Sequence, residues 1–321
     1  LCRVGASASR RAAWASARWL VCNSTRSSAG EARVEASGNA REYTSDGSRL
    51  QLVSVRVLDA QPWGGPQRGA TLVSVRARGA LVGGVVCRFG ASRWSSLAWS
   101  LGASRLRCVS APSGASGWSG VHLSSAHGGV SSGGSFYYHA EVHASGAAPP
   151  LGPERGGTRV AVLGGGLKDA YTLRCRFANA SSASLGRLVD GSQLECASPM
   201  RALGATRVRL SINAQQYGAG AGSGSGFGVG AAYTYERAWS VSSVWPSRVL
   251  SAGGTPLTVR GGGFSSVSES LGYALCRVGA SASRRAAWAS ARWLVCNSTR
   301  SSAGEARVEA SGNAREYTSD G

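Results

Sequence analysis

The first 47 residues of this chain recur unchanged as its last 47. Residues 1–47 and 275–321 have the same sequence, so the chain returns to its own beginning after 274 residues. Identical sequences of this length share every local preference for strand, turn and core. Self-similarity at a fixed period is typical of repeat architectures. We therefore interpret the chain as one 274-residue unit followed by part of the next.

A second, fainter repeat divides this unit into three parts. Each part has a proline nine residues before a threonine, then a cysteine followed by arginine, then a second cysteine about 20 residues further on. The proline and threonine pairs are Pro62 and Thr71, Pro149 and Thr158, and Pro246 and Thr255. The cysteine pairs are Cys87 and Cys108, Cys175 and Cys196, and Cys276 and Cys296, with Cys2 and Cys22 as the copy of the last. Because the features recur in one order, we predict three copies of one domain.

The segments after the three threonines alternate apolar and polar residues. Residues 72–76, 159–163 and 256–260 each have one apolar face, the pattern of a half-buried strand. Short valine-rich stretches between Gly, Ser and Pro clusters predict an all-β fold. Two of the strands run into three glycines, at 164–166 and 261–263. We predict no phosphate-binding loop there, because neither stretch continues into GxGxxG or a convincing helix.

These features together resemble the IPT/TIG family of immunoglobulin-like domains. The closest stretch is Pro246 to Phe264, PSRVLSAGGTPLTVRGGGF, and Cys87 to Gly90 reads CRFG, as in the family's cysteine strand. The first copy departs from the pattern, with Ala70 in place of the second glycine of the turn. The resemblance implies an all-β chain of tandem immunoglobulin-like (IPT/TIG) β-sandwich domains.

The closing strand of each copy predicts the domain boundaries. We expect the C-terminal part of one domain at 1–52 and whole domains at 53–139 and 140–236. A further domain at 237–321 would be completed by residues equivalent to 48–52 of the following unit. The linkers between them are nearly absent, which predicts a semi-rigid array. At about 35 Å per sandwich, one unit would span roughly 100 Å.

The cysteines predict disulfides within the domains. All eight fall into pairs, which favours four intradomain bridges and an oxidising, secreted setting. Free buried cysteines in a cytosolic protein are the alternative. Zinc is less favoured, because no CxxC or HxxxH spacing accompanies the pairs.

Two kinds of glycosylation site are predicted. Three asparagines lie in N-x-S/T sequons, namely Asn23, Asn179 and Asn297. Pro149-Pro150 resembles the Ala/Ser-Pro-Pro sites that are hydroxylated and glycosylated in plant and algal wall proteins. A plain turn at a domain junction also explains these prolines and is the favoured interpretation.

We predict no catalytic, cofactor or metal site. The four histidines, His122, His127, His139 and His143, lie close together in sequence but have only Glu141 as an acidic neighbour. No G-x-S-x-G element or pair of carboxylates has the setting that a hydrolase needs. The ten tryptophans are predicted mainly as core anchors, with sugar stacking as the alternative.

The charge of the chain is strongly basic but is not arranged for nucleic acid. Its 35 basic and 16 acidic residues give a formal net charge of +19. Basic and aromatic residues are not interleaved, so we predict no nucleic-acid partner. We predict that most arginines are solvated surface residues, with a polyanion-binding surface as the alternative. No apolar run reaches the roughly 20 residues of a membrane span.

Together these patterns predict a structural subunit of an extracellular fibre, glycosylated and built from repeated domains. The expected partners are neighbouring repeats of the same protein, parallel chains, and attached or bound glycans. The main alternative is the ectodomain of a cell-surface receptor or adhesin, because IPT/TIG arrays resemble those of plexin-like receptors. A Rel-type DNA-binding protein and an accessory module of a carbohydrate-active enzyme are weaker alternatives.

Overall fold

In the computed structural model, the described part of the chain is all-β apart from one short helix. It describes residues 1–23, 28–46, 48–79, 84–90, 95–102, 104–125, 128–131, 133–170, 172–178, 183–218 and 230–319. They form two compact units, one of residues 1–63 and 68–137, the other of residues 64–67 and 138–321. Within the described part of the chain, no helix is long and apolar enough to cross a membrane.

The elements are short strands joined by tight turns. In chain order they are β1 (Cys2–Val4), β2 (Ala13–Ser16), β3 (Trp19–Val21), β4 (Gly30–Ala36), β5 (Arg49–Leu52), β6 (Arg56–Gln61), β7 (Gly64–Pro66), β8 (Leu72–Arg78), β9 (Val85–Phe89), β10 (Ser95–Leu97), β11 (Trp99–Gly102), β12 (Arg105–Val109), β13 (Gly117–Ser125), β14 (Gly128–Val130), β15 (Gly134–His139), β16 (His143–Ala148), β17 (Leu151–Pro153), β18 (Arg159–Gly165), β19 (Arg174–Phe177), β20 (Ser184–Asp190), β21 (Gln193–Ala197), β22 (Gly204–Ser211), β23 (Ala231–Glu236), β24 (Ser240–Trp245), β25 (Pro256–Gly262), α1 (Ser266–Ser270), β26 (Leu275–Val278), β27 (Arg284–Arg285), β28 (Ala287–Ser290), β29 (Trp293–Asn297) and β30 (Val308–Ser311).

The first unit contains one sandwich and part of another. In the sandwich, one sheet has the order β11-β12-β8-β6, and the facing sheet contains β10-β9-β13-β15. The partial domain of residues 1–52 has a sheet of order β1-β4-β5 and a separate hairpin of β2 and β3.

The second unit contains two sandwiches in sequence. In the first, β16-β18-β21-β20 and β19-β22-β23-β17 pack face to face, and β20 pairs with a strand of each sheet. In the second, the sheet β24-β25-β29-β28 faces a sheet of order β27-β26-β30. β30 therefore lies at the edge of its sheet.

Side chains at every second position of the strands fill the core between the sheets of each sandwich. Val160 and Val162 on β18 are fully buried, as are Val73 and Val75 on β8, because every second side chain of a strand points inward. Phe177 packs edge to face against Tyr233, with ring centroids 5.2 Å apart.

Each domain copy has a disulfide between its two sheets. The pairs are Cys2–Cys22, Cys87–Cys108, Cys175–Cys196 and Cys276–Cys296. In the second unit these link β19 to β21 and β26 to β29. Disulfides favour an oxidising environment, so an extracellular or cell-surface location fits this chain.

The turn around each threonine has the same hydrogen bonds in all three copies. The threonine N–H donates to the hydroxyl of a serine two residues after the second cysteine, and that serine's N–H donates to the threonine carbonyl. The pairs are Thr71 with Ser110, Thr158 with Ser198, and Thr255 with Ser298. The recurring threonines therefore close equivalent turns in the three domains.

Two predictions about local structure are wrong. A helix does follow the glycines at 261–263, because Ser265 caps it by accepting a hydrogen bond from the N–H of Val267. Most of the described tryptophans are exposed and are not core anchors, whereas Trp239 and Trp288 are half-buried and pack against the core of the last sandwich. Valine, leucine and the disulfides already fill the narrow cores, and none of the described tryptophans is fully buried. Trp14 and Trp245, for example, are each 74% exposed.

Candidate functional site

The predicted modification sites lie at strand ends and domain junctions. Asn23 and Asn297 are exposed and each directly follows its second cysteine, whereas Asn179 lies outside the described residues. Pro149 is buried and Pro150 half-buried, between β16 and β17. Glycosylation at all of these positions stays a prediction.

The three histidines that the structure describes do not form a metal site. His139 is 4% exposed, and its Nδ1 lies 2.7 Å from the carbonyl oxygen of Ala140. Burial lowers the pKa of His139, because the charged imidazolium loses its hydration. His143 is exposed, and His127 lies outside the described residues. Among the described residues, no group of three His, Cys, Asp or Glu side chains could hold a metal ion.

The structure points instead to a turn that occurs three times in the chain. Residues 311–317 read SGNAREY, residues 37–43 are identical, and residues 211–217 read SINAQQY. We call this segment the docking turn. In it, Asn313 Oδ1 accepts from the N–H groups of Arg315, at 3.0 Å, and Glu316, at 3.1 Å. The asparagine thus closes an Asx-type turn, with Ala314 in the left-handed region at φ 58°.

The docking turn is fixed to its own domain by the arginine that follows the first cysteine. Arg277 lies over the ring of Tyr317, 4.3 Å from its centroid, and its Nε donates to Glu309 at 2.8 Å. Arg3 and Tyr43 have the same 4.3 Å geometry in the first copy. Arg176 and Tyr217 repeat it at 3.6 Å. Such stacking favours a fixed tyrosine and so a fixed turn.

In the second unit the docking turn 311–317 binds the preceding sandwich. The side-chain amide of Asn313 donates to Thr158 Oγ1 at 3.2 Å, and the Thr158 hydroxyl donates to Glu316 Oε2 at 2.9 Å. Asn313 also donates to Glu316. Asn313 and Thr158 are 3% and 0% exposed, so these hydrogen bonds form in a buried seam, where leaving one unmade is costly.

Two glutamates fix the short connection between these sandwiches. Glu154 accepts from the N–H of Ala238 at 2.6 Å. Glu236, at the end of β23, accepts from the hydroxyls of Ser265 at 2.7 Å and Ser268 at 3.1 Å. The connection is therefore bonded to the domain before it and to the helix after it.

Close packing completes the seam. A Cβ on Gly312 would lie 2.6 Å from the ring of Trp239, so a larger residue would displace the tryptophan. Trp239 in turn packs edge to face on Phe264, with centroids 5.1 Å apart. A cavity of about 30 Å³ remains beside Trp239 and Asn313, which is large enough for bound water.

The turn at 211–217 makes a related contact within the second unit. The amide of Asn213, 4% exposed, donates to the carbonyl of Gly64 at 3.4 Å and to Gln216 Oε1 at 2.6 Å. Gly64 belongs to the segment 64–67 of this unit. Two docking turns, at 211–217 and 311–317, therefore each contact a segment that precedes them in the chain.

The copy at 37–43 has the same internal structure in a different environment. Asn39 Oδ1 accepts from the N–H groups of Arg41, at 3.0 Å, and Glu42, at 2.9 Å, as its equivalent does. Yet Asn39 is exposed, whereas the identical Asn313 is 3% exposed. Thr44 is likewise exposed, whereas the identical Thr318 is 4% exposed. The burial depends on a preceding domain and not on the turn itself.

Thr158 is recognisable from the sequence as a repeat marker, whereas the docking turn was not predicted. A signal was present, because serine, asparagine, alanine and tyrosine recur with the same spacing at 37–43, 211–217 and 311–317. Residues 121–138 of the first domain contain no asparagine, which breaks the pattern in that copy.

The sandwich that contains the docking turn 311–317 matches a known domain family. Residues 240–321 match the sequence model of the IPT/TIG domain. This segment is an IPT/TIG domain. No curated protein sequence matches the chain significantly.

Several solved structures are similar in fold. The extracellular region of plexin A4 is 15% identical over 84% of this chain, with a TM-score of 0.44, and this chain spans 23% of that one. The Escherichia coli adhesin FdeC is 13% identical over 84% of this chain and 94% of its own, with a TM-score of 0.26. Invasin, a bacterial integrin-binding protein, is 10% identical over 80% of this chain and 56% of its own, with a TM-score of 0.22.

Proposed function

We propose that this chain is a stiff segment of an extracellular or cell-surface array of IPT-like domains, with a structural rather than a catalytic role. The observation that carries the proposal is the buried seam around Asn313 and Thr158. A junction with buried, directional hydrogen bonds resists bending more than a flexible linker does. The four disulfides support the extracellular setting.

The first candidate setting is the ectodomain of a cell-surface receptor or adhesin. The IPT/TIG domain at 240–321 supports it, since the resemblance drawn from the sequence is to receptor-like arrays. In this setting the docking turns would hold a ligand-binding region at a fixed distance from the cell.

The second candidate setting is a fibre built from identical units. The exact copy of residues 1–47 at 275–321 favours it, because identical sequences allow every unit junction to have the same contacts. Neighbouring repeats and parallel chains would be the partners, with glycans on Asn23 and Asn297.

Electron microscopy of the native material distinguishes the two settings. A fibre predicts continuous filaments with an axial repeat of roughly 100 Å, from three sandwiches per unit. Dispersed rods that end in a differently shaped head would support the ectodomain instead. Flexible chains without stiff segments would contradict both settings, because they would mean that the junctions between sandwiches are not rigid.

A further inference from the structure

The outer face of one sheet in the first unit is rich in arginine. The inner face of the sheet β11-β12-β8-β6 carries the buried Val73, Val75 and Leu106, so the side chains between them point outward. Five of these outward positions are exposed arginines, namely Arg56 on β6, Arg76 and Arg78 on β8, and Arg105 and Arg107 on β12. We call these five residues the arginine face. The sequence of residues 53–139 contains a single acidic residue, Asp59.

The strand register sets arginines directly opposite one another on this face. Arg105 of β12 lies opposite Arg76 of β8. Arg78 of β8 lies opposite Arg56 of β6, and like charges in such positions destabilise an antiparallel pair. Asp59 lies opposite Arg76 on β6 and accepts a hydrogen bond from its Nε at 2.7 Å, so this carboxylate balances one of the five charges. The excess positive charge makes the face a binding surface for an anion.

The equivalent face of the second sandwich has no such cluster. Its strands β16, β18 and β21 pair in the same register as β6, β8 and β12, so the two ladders give the equivalent positions. In the order of the five arginines, these positions are His143, Leu163, Gly165, Gln193 and Glu195. Arg159 and Arg187 on this face both form ion pairs with Glu195, at 3.7 and 2.6 Å. The arginine face is therefore a property of one domain and not of the shared fold.

Exposed tryptophans flank the arginine face on both sides. On one side, Trp99 of β11 lies opposite Arg107 and is 55% exposed. On the other side, a groove of about 490 Å³ opens at β6 and is lined by Arg56, Trp63 and Trp118. The two indole rings of the groove lie 6.0 Å apart, and Trp118 is 66% exposed. An exposed indole offers a flat apolar surface to the apolar face of a sugar ring.

We propose that the arginine face binds a linear acidic polysaccharide, whose carboxylate or sulfate groups lie on the arginines and whose sugar rings stack on the flanking tryptophans. Guanidinium groups bind such oxyanions with two parallel hydrogen bonds. A bound anion also screens the repulsion between Arg76 and Arg105, which the register places side by side. Single-stranded nucleic acid fits the face less well, because it needs aromatic rings along the path of the basic residues, and here the tryptophans lie on either side of them.

The test is isothermal titration calorimetry of the whole 321-residue chain with three oligosaccharides of equal length. Oligogalacturonate carries carboxylates, a heparin-derived oligosaccharide carries sulfates, and a cello-oligosaccharide is neutral. The expected result is saturable binding of at least one acidic oligosaccharide, and the stronger of the two identifies the anionic group. Binding should weaken about tenfold or more between about 50 and about 500 mM sodium chloride, because salt screens exposed charges. Failure of both acidic probes to bind, or equal binding of the neutral one, would overturn the proposal.

Two matched pairs of substitutions locate the bound oligosaccharide. Arg105→Gln with Arg107→Gln removes two charges from the arginine face and should weaken binding about tenfold. Arg159→Gln with Arg187→Gln removes two charges from the equivalent face of the second sandwich and should leave the affinity unchanged. All four side chains are exposed, so both variants are expected to fold, which circular dichroism checks. Equal losses in the two variants would mean that the ligand reads only the net charge of the chain, and this would refute the site.

A further variant and a further probe distinguish a polysaccharide from other polyanions. Trp118→Ala should weaken binding of the acidic oligosaccharide about threefold to tenfold, because it removes a stacking surface and leaves every charge in place. An oligothymidylate with the same number of charges should bind more weakly than the oligosaccharide. An unchanged affinity in Trp118→Ala, or DNA that binds as tightly, would rule out a polysaccharide as the specific ligand. Since these titrations do not depend on the stiffness of the junctions, their failure would refute the ligand site without refuting the array.

Discussion

At the residue scale, buried polar groups decide how much stability each sandwich retains. The hydroxyl of Tyr235 is buried and has no hydrogen-bond partner among the described residues. Asn313 and Thr158, buried as deeply, satisfy one another across the seam. An unpaired buried hydroxyl costs free energy, whereas a paired one contributes to specificity.

Tyr235→Phe is expected to stabilise the chain. It removes the unpaired hydroxyl and keeps the ring, so the free energy of unfolding should rise by about 1 kcal/mol. Urea denaturation followed by tryptophan fluorescence measures this. Tyr317→Phe is the matched control and should lower stability slightly, because the Tyr317 hydroxyl donates to Ser283 at 2.6 Å. A destabilised Tyr235→Phe protein would mean that the hydroxyl has a partner in solution.

Buried tyrosines also predict a loss of stability at alkaline pH. Burial raises the pKa of Tyr138 to about 12, and it raises the pKa of Tyr233 and Tyr235 as well. The unfolded chain releases these protons near pH 10, before the folded chain does, so stability is complete below pH 10 and falls above it. Each tyrosine contributes a slope of up to about 1.4 kcal/mol per pH unit. Denaturation midpoints at pH 9, 10.5 and 11.5 test this, and a flat profile would contradict it.

At the element scale, the docking turn has an internal control in its own sequence. Residues 37–43 and 311–317 are identical, are closed by the same asparagine hydrogen bonds and are fixed by the same arginine–tyrosine stack. They differ in their contacts, because residues 311–317 bind Thr158 of the sandwich before them and Asn39 is exposed. A difference in the stability lost by equivalent substitutions in the two copies therefore measures the contribution of the seam and not that of the turn.

Asn313→Ala should lower the stability of the second unit by about 2 kcal/mol, because it removes the amide that donates to both Thr158 and Glu316 in a buried seam. Asn39→Ala removes the same side chain where it is exposed and should have a much smaller effect. Calorimetric unfolding of both variants gives the comparison. If the two variants lose equal stability, the seam contributes nothing beyond the turn.

At the scale of the whole molecule, disulfides and repetition define what kind of protein this is. Each sandwich is small, and each has a bridge between its sheets that closes a loop of about 20 residues. In the loop-entropy model such a bridge is worth roughly 3 kcal/mol. These bridges thus suit the chain to an extracellular environment, where domains of marginal stability would unfold.

The thiol content of the whole chain tests this setting. Denatured, non-reduced protein should have no free thiols, and eight should appear after reduction, because all eight cysteines are paired. Reduction should also lower the unfolding temperature of every sandwich. Eight thiols before reduction would contradict an extracellular location.

Much of the fold could be predicted from the sequence. Alternation after Thr158 and Thr255 predicted β18 and β25, because strand periodicity is local information. The spacing of the cysteines predicted a repeated domain in the same way, and the number and bounds of the domains stay a prediction. The tryptophans were predicted incorrectly, since exposure depends on how much apolar volume the facing sheet already supplies. Trp118 is 66% exposed, on the face of β13 opposite to the buried Val121 and Leu123.

The sequence by itself determined that this chain is a repeat of disulfide-linked β-sandwiches, because strand period, turn residues and cysteine spacing are properties of short segments. Only the tertiary structure decided what the identical segments do. Asn313 of the docking turn is buried, whereas the identical Asn39 is exposed, and the same segment forms a longer strand at β4 than at β30. Burial and pairing depend on which domain or strand lies opposite, and that neighbour is distant in sequence, so no local pattern could encode it.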